Sequence, residues 1–172
     1  MTCAPGVRLV CGRAFADVVG MLLPKAILVA TDFSETSDRA VDYAVEFAKV
    51  TGAKVTVLHA YELPIYGFPD GALVATVDMA TRIMNAAQAA LDQTCASRRD
   101  KGVEMAPVLR QGLPWDEIHS VAEELGCDLI VIGTHGRKGL AHALIGSVAE
   151  KVIRSATLPV LTIHGPRASS SK

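Results

Sequence analysis

Short apolar runs alternate along the chain with longer stretches in which apolar residues recur every three or four positions. Ala26-Ile27-Leu28-Val29-Ala30 is compact and partly β-branched, and reads as a buried strand. Asp32-Phe33-Ser34 closes it, and Ser34 or a neighbouring hydroxyl suits the N-cap of the next helix. That helix carries Ala40, Val41, Ala44, Val45 and Ala48 on one face and ends at Gly52, a residue fitted to left-handed termination. Val55 to His59 reads as a second strand, followed by a loop punctuated by Pro64, Gly67, Pro69 and Gly71. Over roughly 75–100, Val77, Ala80, Met84, Ala87, Leu91 and Cys95 make a helical stripe that reads as core together with Met79, and Gly102 ends it. Val103 to Leu109 is a third strand, weakened by Pro107 and so assigned to an edge. Gly112-Leu113-Pro114 turns into a helix bearing Trp115, Ile118, Val121, Ala122 and Leu125, stopped by Gly126. A fourth strand over 128–132, a glycine-rich loop with its helix over 133–155, and a fifth strand from Val160 to Ile163 complete the series.

Five strands separated by helices imply right-handed crossovers and a parallel sheet in an α/β domain, with helices on both faces. Such sheets bind ligands beyond the carboxyl ends of their strands, where strand order reverses. Two of those ends carry polar or glycine-rich material, Asp32 after the first strand and Gly133 after the fourth. If the two strands are neighbours, the crevice lies between them.

Composition narrows the picture. At 172 residues, half of them hydrophobic and a fifth charged, the chain fits one domain with a substantial core. Residues 21–164 are expected to form it, starting cleanly at Met21, with 165–172 a flexible tail. Residues 1–20 read as a loosely attached extension or an upstream start, because Arg8, Arg13 and Asp17 interrupt any signal-peptide core, with a short amphipathic targeting segment as the lesser alternative. A net charge of −1 and 5% aromatic residues argue against nucleic acid as a partner. No apolar run reaches the ~18–20 residues that span a bilayer, so no membrane partner is expected. Cys3, Cys11, Cys95 and Cys127 form no C-x-x-C pair, which points to a reducing cytoplasm without zinc or disulfides, and Cys127 reads as a small buried side chain.

The chemistry concentrates in Gly133-Thr134-His135-Gly136, nine residues, then Gly146-Ser147. A strand, a glycine-rich loop and a helix start form the backbone arrangement that cradles phosphates, since glycines admit close approach and the helix end offers N–H donors. The loop is neither a Walker motif, having no Gly-Lys-Ser/Thr, nor the G-x-G-x-x-G fingerprint. Arg137 and Lys138 are placed to add charge at the phosphates or to be solvated surface groups, and Gly139 also allows a merely flexible connection. Asp32 reads as a ligand contact in preference to a helix-start residue. His59 closes a buried strand and reads as a satisfied packing residue, while His119 and His142 are expected at the surface. His135 has no carboxylate beside it in sequence. Asp116 and Glu117 favour a helix start through its dipole, Trp115 packs there, and no Ser-His-Asp set or metal cluster assembles.

The ordered set of motifs resembles the universal stress protein family over about 24–164. Gly133, Gly136, Gly146 and Ser147 match its G-x-x-G-x9-G-[S/T] spacing, supported by Ala30-Thr31-Asp32-Phe33-Ser34, Leu58-His59-Ala60, Gly112-Leu113-Pro114 and Leu158-Pro159-Val160-Leu161. Ala30 stands where some members carry proline. The resemblance implies a Rossmann-like adenine nucleotide alpha hydrolase-like fold, strand order 3-2-1-4-5, and a homodimer through the last strand. It implies the ATP-binding branch, with magnesium as companion of the triphosphate and an unidentified protein partner. Asp32 and the Ala60 backbone would then lie at the adenine or its neighbourhood, Gly133 and Thr134 at the ribose and first phosphates, and Thr31 and Ile132 also among the nucleotide-binding residues. Gly136, Gly146, Ser147 and Val148 would offer N–H groups, and Ser147 its hydroxyl, to the phosphates. The expected function is nucleotide-dependent stress regulation, against a slow ATP hydrolase or a nucleotide-independent dimeric scaffold.

Overall fold

The computed structural model describes residues 23–63, 65–68, 71–74, 77–134 and 145–165, with only the backbone described for 65–68, 71–74 and 77. Residues 1–20, Met21, His135, Gly136, Arg137, Lys138, Gly139, His142 and the tail from 166 lie outside the described residues. The elements run β1 (Ala26–Ala30), α1 (Glu35–Thr51), β2 (Lys54–Tyr61), β3 (Ile65–Phe68), β4 (Gly71–Val74), α2 (Val77–Ala96), β5 (Met105–Gln111), α3 (Pro114–Glu124), β6 (Leu129–Gly133), α4 (Ser147–Ser155) and β7 (Val160–Ile163). A 3-10 turn, Arg99–Lys101, follows α2.

The main sheet is parallel throughout, ordered β5-β2-β1-β6-β7, which is 3-2-1-4-5 for its five strands taken in chain order. Strand alternation divides the core into two layers. Ile27, Val29, Val55, Val57, Leu129 and Val131 face α1 and the C-terminal half of α2. Leu28, Leu58, Ile130 and Ile132 face the opposite way, against Ile118, Val121 and Ala122 of α3 and Ala149 and Val152 of α4. Gly52 ends α1 in the left-handed conformation, φ 74°.

Three expectations need correction. The stretch after β2 is not wholly loop: Ile65 pairs with Val74 and Tyr66 with Leu73 in an antiparallel hairpin, since strand-forming residues flank the Pro69-Asp70 break. Met79 and Met84 are not core, being 39% and 42% exposed, whereas Ala87, Leu91 and Cys95 are buried. A helix of α2's length spans ~30 Å and outruns the strands beneath it, so its first turns extend past the sheet. Leu125 leaves the buried face of α3 because the helix ends there, and it is 46% exposed.

Pro107 does lie on an edge strand, and the ladder shows why it is tolerated. Val55 N–H donates to Glu104 O and Gly112 N–H to Tyr61 O, so the even-numbered residues of β5 bond β2. Pro107 is odd-numbered and turns its missing donor outward, blunting that edge at no cost to the sheet. The other edge, β7, contains no proline.

Candidate functional site

β1 and β6 are neighbours, with Ala30 opposite Ile132. From β1 the chain crosses to β2, and from β6 to β7, so strand order reverses between their carboxyl ends. Thr31, Asp32, Ala60, Ile132, Gly133, Thr134, Gly146, Ser147 and Val148 all belong to segments that end or begin at this edge. Gly136 lies outside the described residues.

The turn leaving β1 is held from within. Thr31 is buried, its N–H donates to Leu58 O at 2.8 Å, and its hydroxyl lies 3.1 Å from that of Ser37. Asp32 Oδ1 accepts from the Ser34 N–H at 3.1 Å and from the Ser34 hydroxyl at 2.6 Å. Ser34 caps α1 by accepting the Ser37 N–H at 3.3 Å. Ser37, 4% exposed, also accepts the Asp32 N–H. Ser37 did not stand out in the sequence, although the Ser34-x-x-Ser37 interval is capping-box spacing with serine in the distal position.

Phe33 adopts φ 62°, the one positive φ outside glycine among the described residues. Its ring meets that of His59 with centroids 4.3 Å apart. His59 Nδ1 lies 2.7 Å from the Thr31 carbonyl oxygen, so a packing role with a satisfied ring nitrogen holds.

Across the crevice the construction differs. A Cβ on Gly133 would meet Thr36 Cγ2 at 3.1 Å and the Ser37 nitrogen at 3.3 Å. Space is tight there because the start of α1 sits on β6, so any side chain would press on Thr36 and Ser37. Thr134 is 1% exposed; its N–H donates to Ile163 O at 2.9 Å and its hydroxyl lies 3.0 Å from His164 Nδ1. Gly146 donates its N–H to Thr134 O and serves as N-cap of α4 with no side-chain cap. Among the described residues, the first turn of α4 thus presents backbone donors that no capping side chain accepts from, with Ser147 exposed at its first position.

Other candidates fall outside this edge. His119, expected at the surface, is partly covered because its Nε2 lies 2.7 Å from Ser155 Oγ, tying α3 to α4. Trp115 packs on the second core layer, with the Lys151 ammonium 5.4 Å from its ring centroid. A cavity of about 500 Å³ lies at the amino end of β5, lined by Asp92, Cys95, Arg99, Val103, Met105 and Pro107. Burial, with Asp92 adding, pushes the Cys95 thiol up, and burial does the same to Cys127; neither suits a nucleophile at neutral pH. Among the described residues no group of three His, Cys, Asp or Glu forms a metal site, and no helix is long and apolar enough to cross a membrane.

Residues 24–164 match the model of the universal stress protein family. The universal stress protein MJ0531 of Methanocaldococcus jannaschii is 34% identical over 150 residues, covering 86% of each chain. Solved structures of the family share the fold, among them two with a bound nucleotide. A universal stress protein in complex with cAMP superposes with a TM-score of 0.62 at 28% identity, over 83% of this chain and 98% of that one. The universal stress protein from Archaeoglobus fulgidus in complex with dAMP gives 0.58 at 28% identity, over 82% and 98%.

Proposed function

The chain belongs to the universal stress protein family, and from that premise we propose that it binds an adenine nucleotide, ATP first, as a nucleotide-dependent regulator of the stress response. The observation that carries this reading is the start of α4: a glycine N-cap without a capping side chain, at the point where strand order reverses. Ser147 and Val148 would meet the phosphates there, with Gly136 and Gly146 completing the cradle. Ile132, Gly133 and Thr134 would border the ribose, and Thr31, Asp32 and the Ala60 backbone the base. The chemistry of these groups fits a triphosphate, whose companion magnesium would take its oxygens from phosphate and water in preference to a protein cage. The relatives solved with cAMP and dAMP support an adenine ligand.

Regulation then works through the hairpin segment 61–74 and the segment 133–146, whose conformation the nucleotide biases towards or against a protein partner in the cytoplasm. The regulator is a homodimer through β7. Pro159 O and Ile163 O accept from Ile130 and Thr134, so Val160 and Thr162 turn their backbone groups to the open edge. Thr162→Pro removes one outward donor and leaves the β6 ladder intact; sedimentation should show a dimer becoming a monomer. For the ligand, stoichiometric adenine nucleotide is expected in the supernatant of heat-denatured, freshly purified protein. Absence of nucleotide there, together with no titratable ATP binding, would sink the reading and leave the scaffold.

A further inference from the structure

The parallel ladder between β1 and β2 should continue one step past the end of β1. Thr31 N–H donates to Leu58 O, and in a regular parallel ladder the next bond runs from Ala60 N–H to Thr31 O. The Thr31 carbonyl is met instead by His59 Nδ1 at 2.7 Å. A carbonyl only accepts, so Nδ1 carries the hydrogen and donates. Among the described residues nothing accepts the Ala60 N–H. Even-numbered residues of β2 turn their backbone groups towards β1, and odd-numbered ones bond β5, so the Ala60 N–H and C=O face the crevice beyond β1. The imidazole is held in place by Phe33, whose ring centroid lies 4.3 Å away and whose φ of 62° is a conformation seldom kept without a reason.

We propose that His59 is a positioning residue for base recognition: its imidazole takes the Thr31 carbonyl out of the ladder and leaves the Ala60 N–H and C=O to read the edge of the base. A neighbouring donor and acceptor on one residue complement adenine, whose N1 accepts and whose 6-amino group donates. Hypoxanthine reverses both groups, with N1–H donating and O6 accepting, and meets like against like. His59 therefore sets preference for adenine, and the phosphates at α4 are indifferent to it. The inference rests on the nucleotide-binding reading above.

Calorimetric titrations of ATP, ITP and inorganic triphosphate into wild type, His59→Leu and His59→Asn test it. Wild type should favour ATP over ITP by ~10-fold or more, as a site built to hydrogen-bond its ligand does. In His59→Leu the Thr31 carbonyl returns to Ala60, and ATP affinity should fall ~10-fold towards that of ITP. ITP and triphosphate affinities should stay put. His59→Asn, whose amide N–H replaces Nδ1–H, should recover most of the preference. Ala60→Pro deletes the reading donor without touching a ladder bond and should lose the preference as well, which covers a His59→Leu protein that does not fold. An unchanged ATP-to-ITP ratio in His59→Leu, or in Ala60→Pro where His59→Leu does not fold, overturns the inference and leaves nucleotide binding standing. So does a parallel loss of all three ligands in His59→Leu, which marks a merely structural histidine. No ATP binding in wild type overturns both.

Discussion

Two helices begin at the carboxyl edge of the central strands, and they begin in opposite ways. α1 starts on Ser34, whose hydroxyl accepts the Ser37 N–H and donates to Asp32, so a carboxylate already stands at the positive end of the helix. α4 starts on Gly146, with no side-chain cap and an exposed serine in its first position. A helix N-terminus carries about half a positive charge, and an anion near it gains about 0.3–1 kcal/mol at the surface, more when partly buried. At α1 the protein's own groups have taken that interaction. At α4 no described side chain has taken it, and in the proposed function a ligand does. One helix start is therefore closed by the turn it fixes and the other is left open, which under the proposed function makes the edge rigid where the base would sit and receptive where the phosphates would.

The comparison breaks most severely at Gly133, where the two halves touch. Gly133→Val pushes a side chain onto Thr36 and the Ser37 nitrogen. Overpacking of this kind costs about 1–3 kcal/mol, so chemical denaturation should show a lower midpoint, and lost nucleotide binding in this variant reports the fold as well as the site. Ser147→Glu is the sharper probe. A carboxylate in the first turn of α4 favours the helix but repels phosphate, so ATP affinity should fall ~10-fold, about 1.4 kcal/mol, with no drop in melting temperature. A variant that binds normally would remove α4 from the site. Ser34→Ala takes the cap from α1 and one partner from Asp32, and should cost about 1 kcal/mol of stability in urea denaturation. Triphosphate binding should be untouched, since its donors lie on the other helix. Ser147→Ala should have the smallest effect, a few-fold loss of ATP affinity from one hydroxyl while the backbone donors remain, about 0.5–1 kcal/mol.

The parts legible in the sequence are those where one period dominates. β1 matches its apolar run residue for residue, because both faces of a central parallel strand are buried and alternation gives way to a continuous block. Ser34 and Gly52 bound α1 because capping chemistry is local. That Asp32 and Gly133 close neighbouring strands is not readable from the alternation itself, since crossover handedness leaves strand order open; the family resemblance implies it. What escaped depends on reach. Met84 keeps the spacing of the α2 stripe, but spacing does not say where the sheet beneath it stops. Gly133 belongs to a phosphate-loop pattern, yet its nearest neighbours are Thr36 and Ser37 of a helix a hundred residues earlier in the chain. His59 reads as packing, and only the ladder shows which carbonyl it occupies. The hairpin stayed hidden behind Pro64 and Pro69, because turn residues announce a break without saying whether its flanks pair.

The most direct test of an open α4 opposite a closed α1 is an amide-resolved NMR titration with ATP and with inorganic triphosphate. The account predicts that both ligands move the amides of Ser147 and Val148 most, and that triphosphate leaves the amides of Glu35 to Ser37 in place. Shifts centred on the first turn of α1, or none at α4 with ATP in excess, would contradict it.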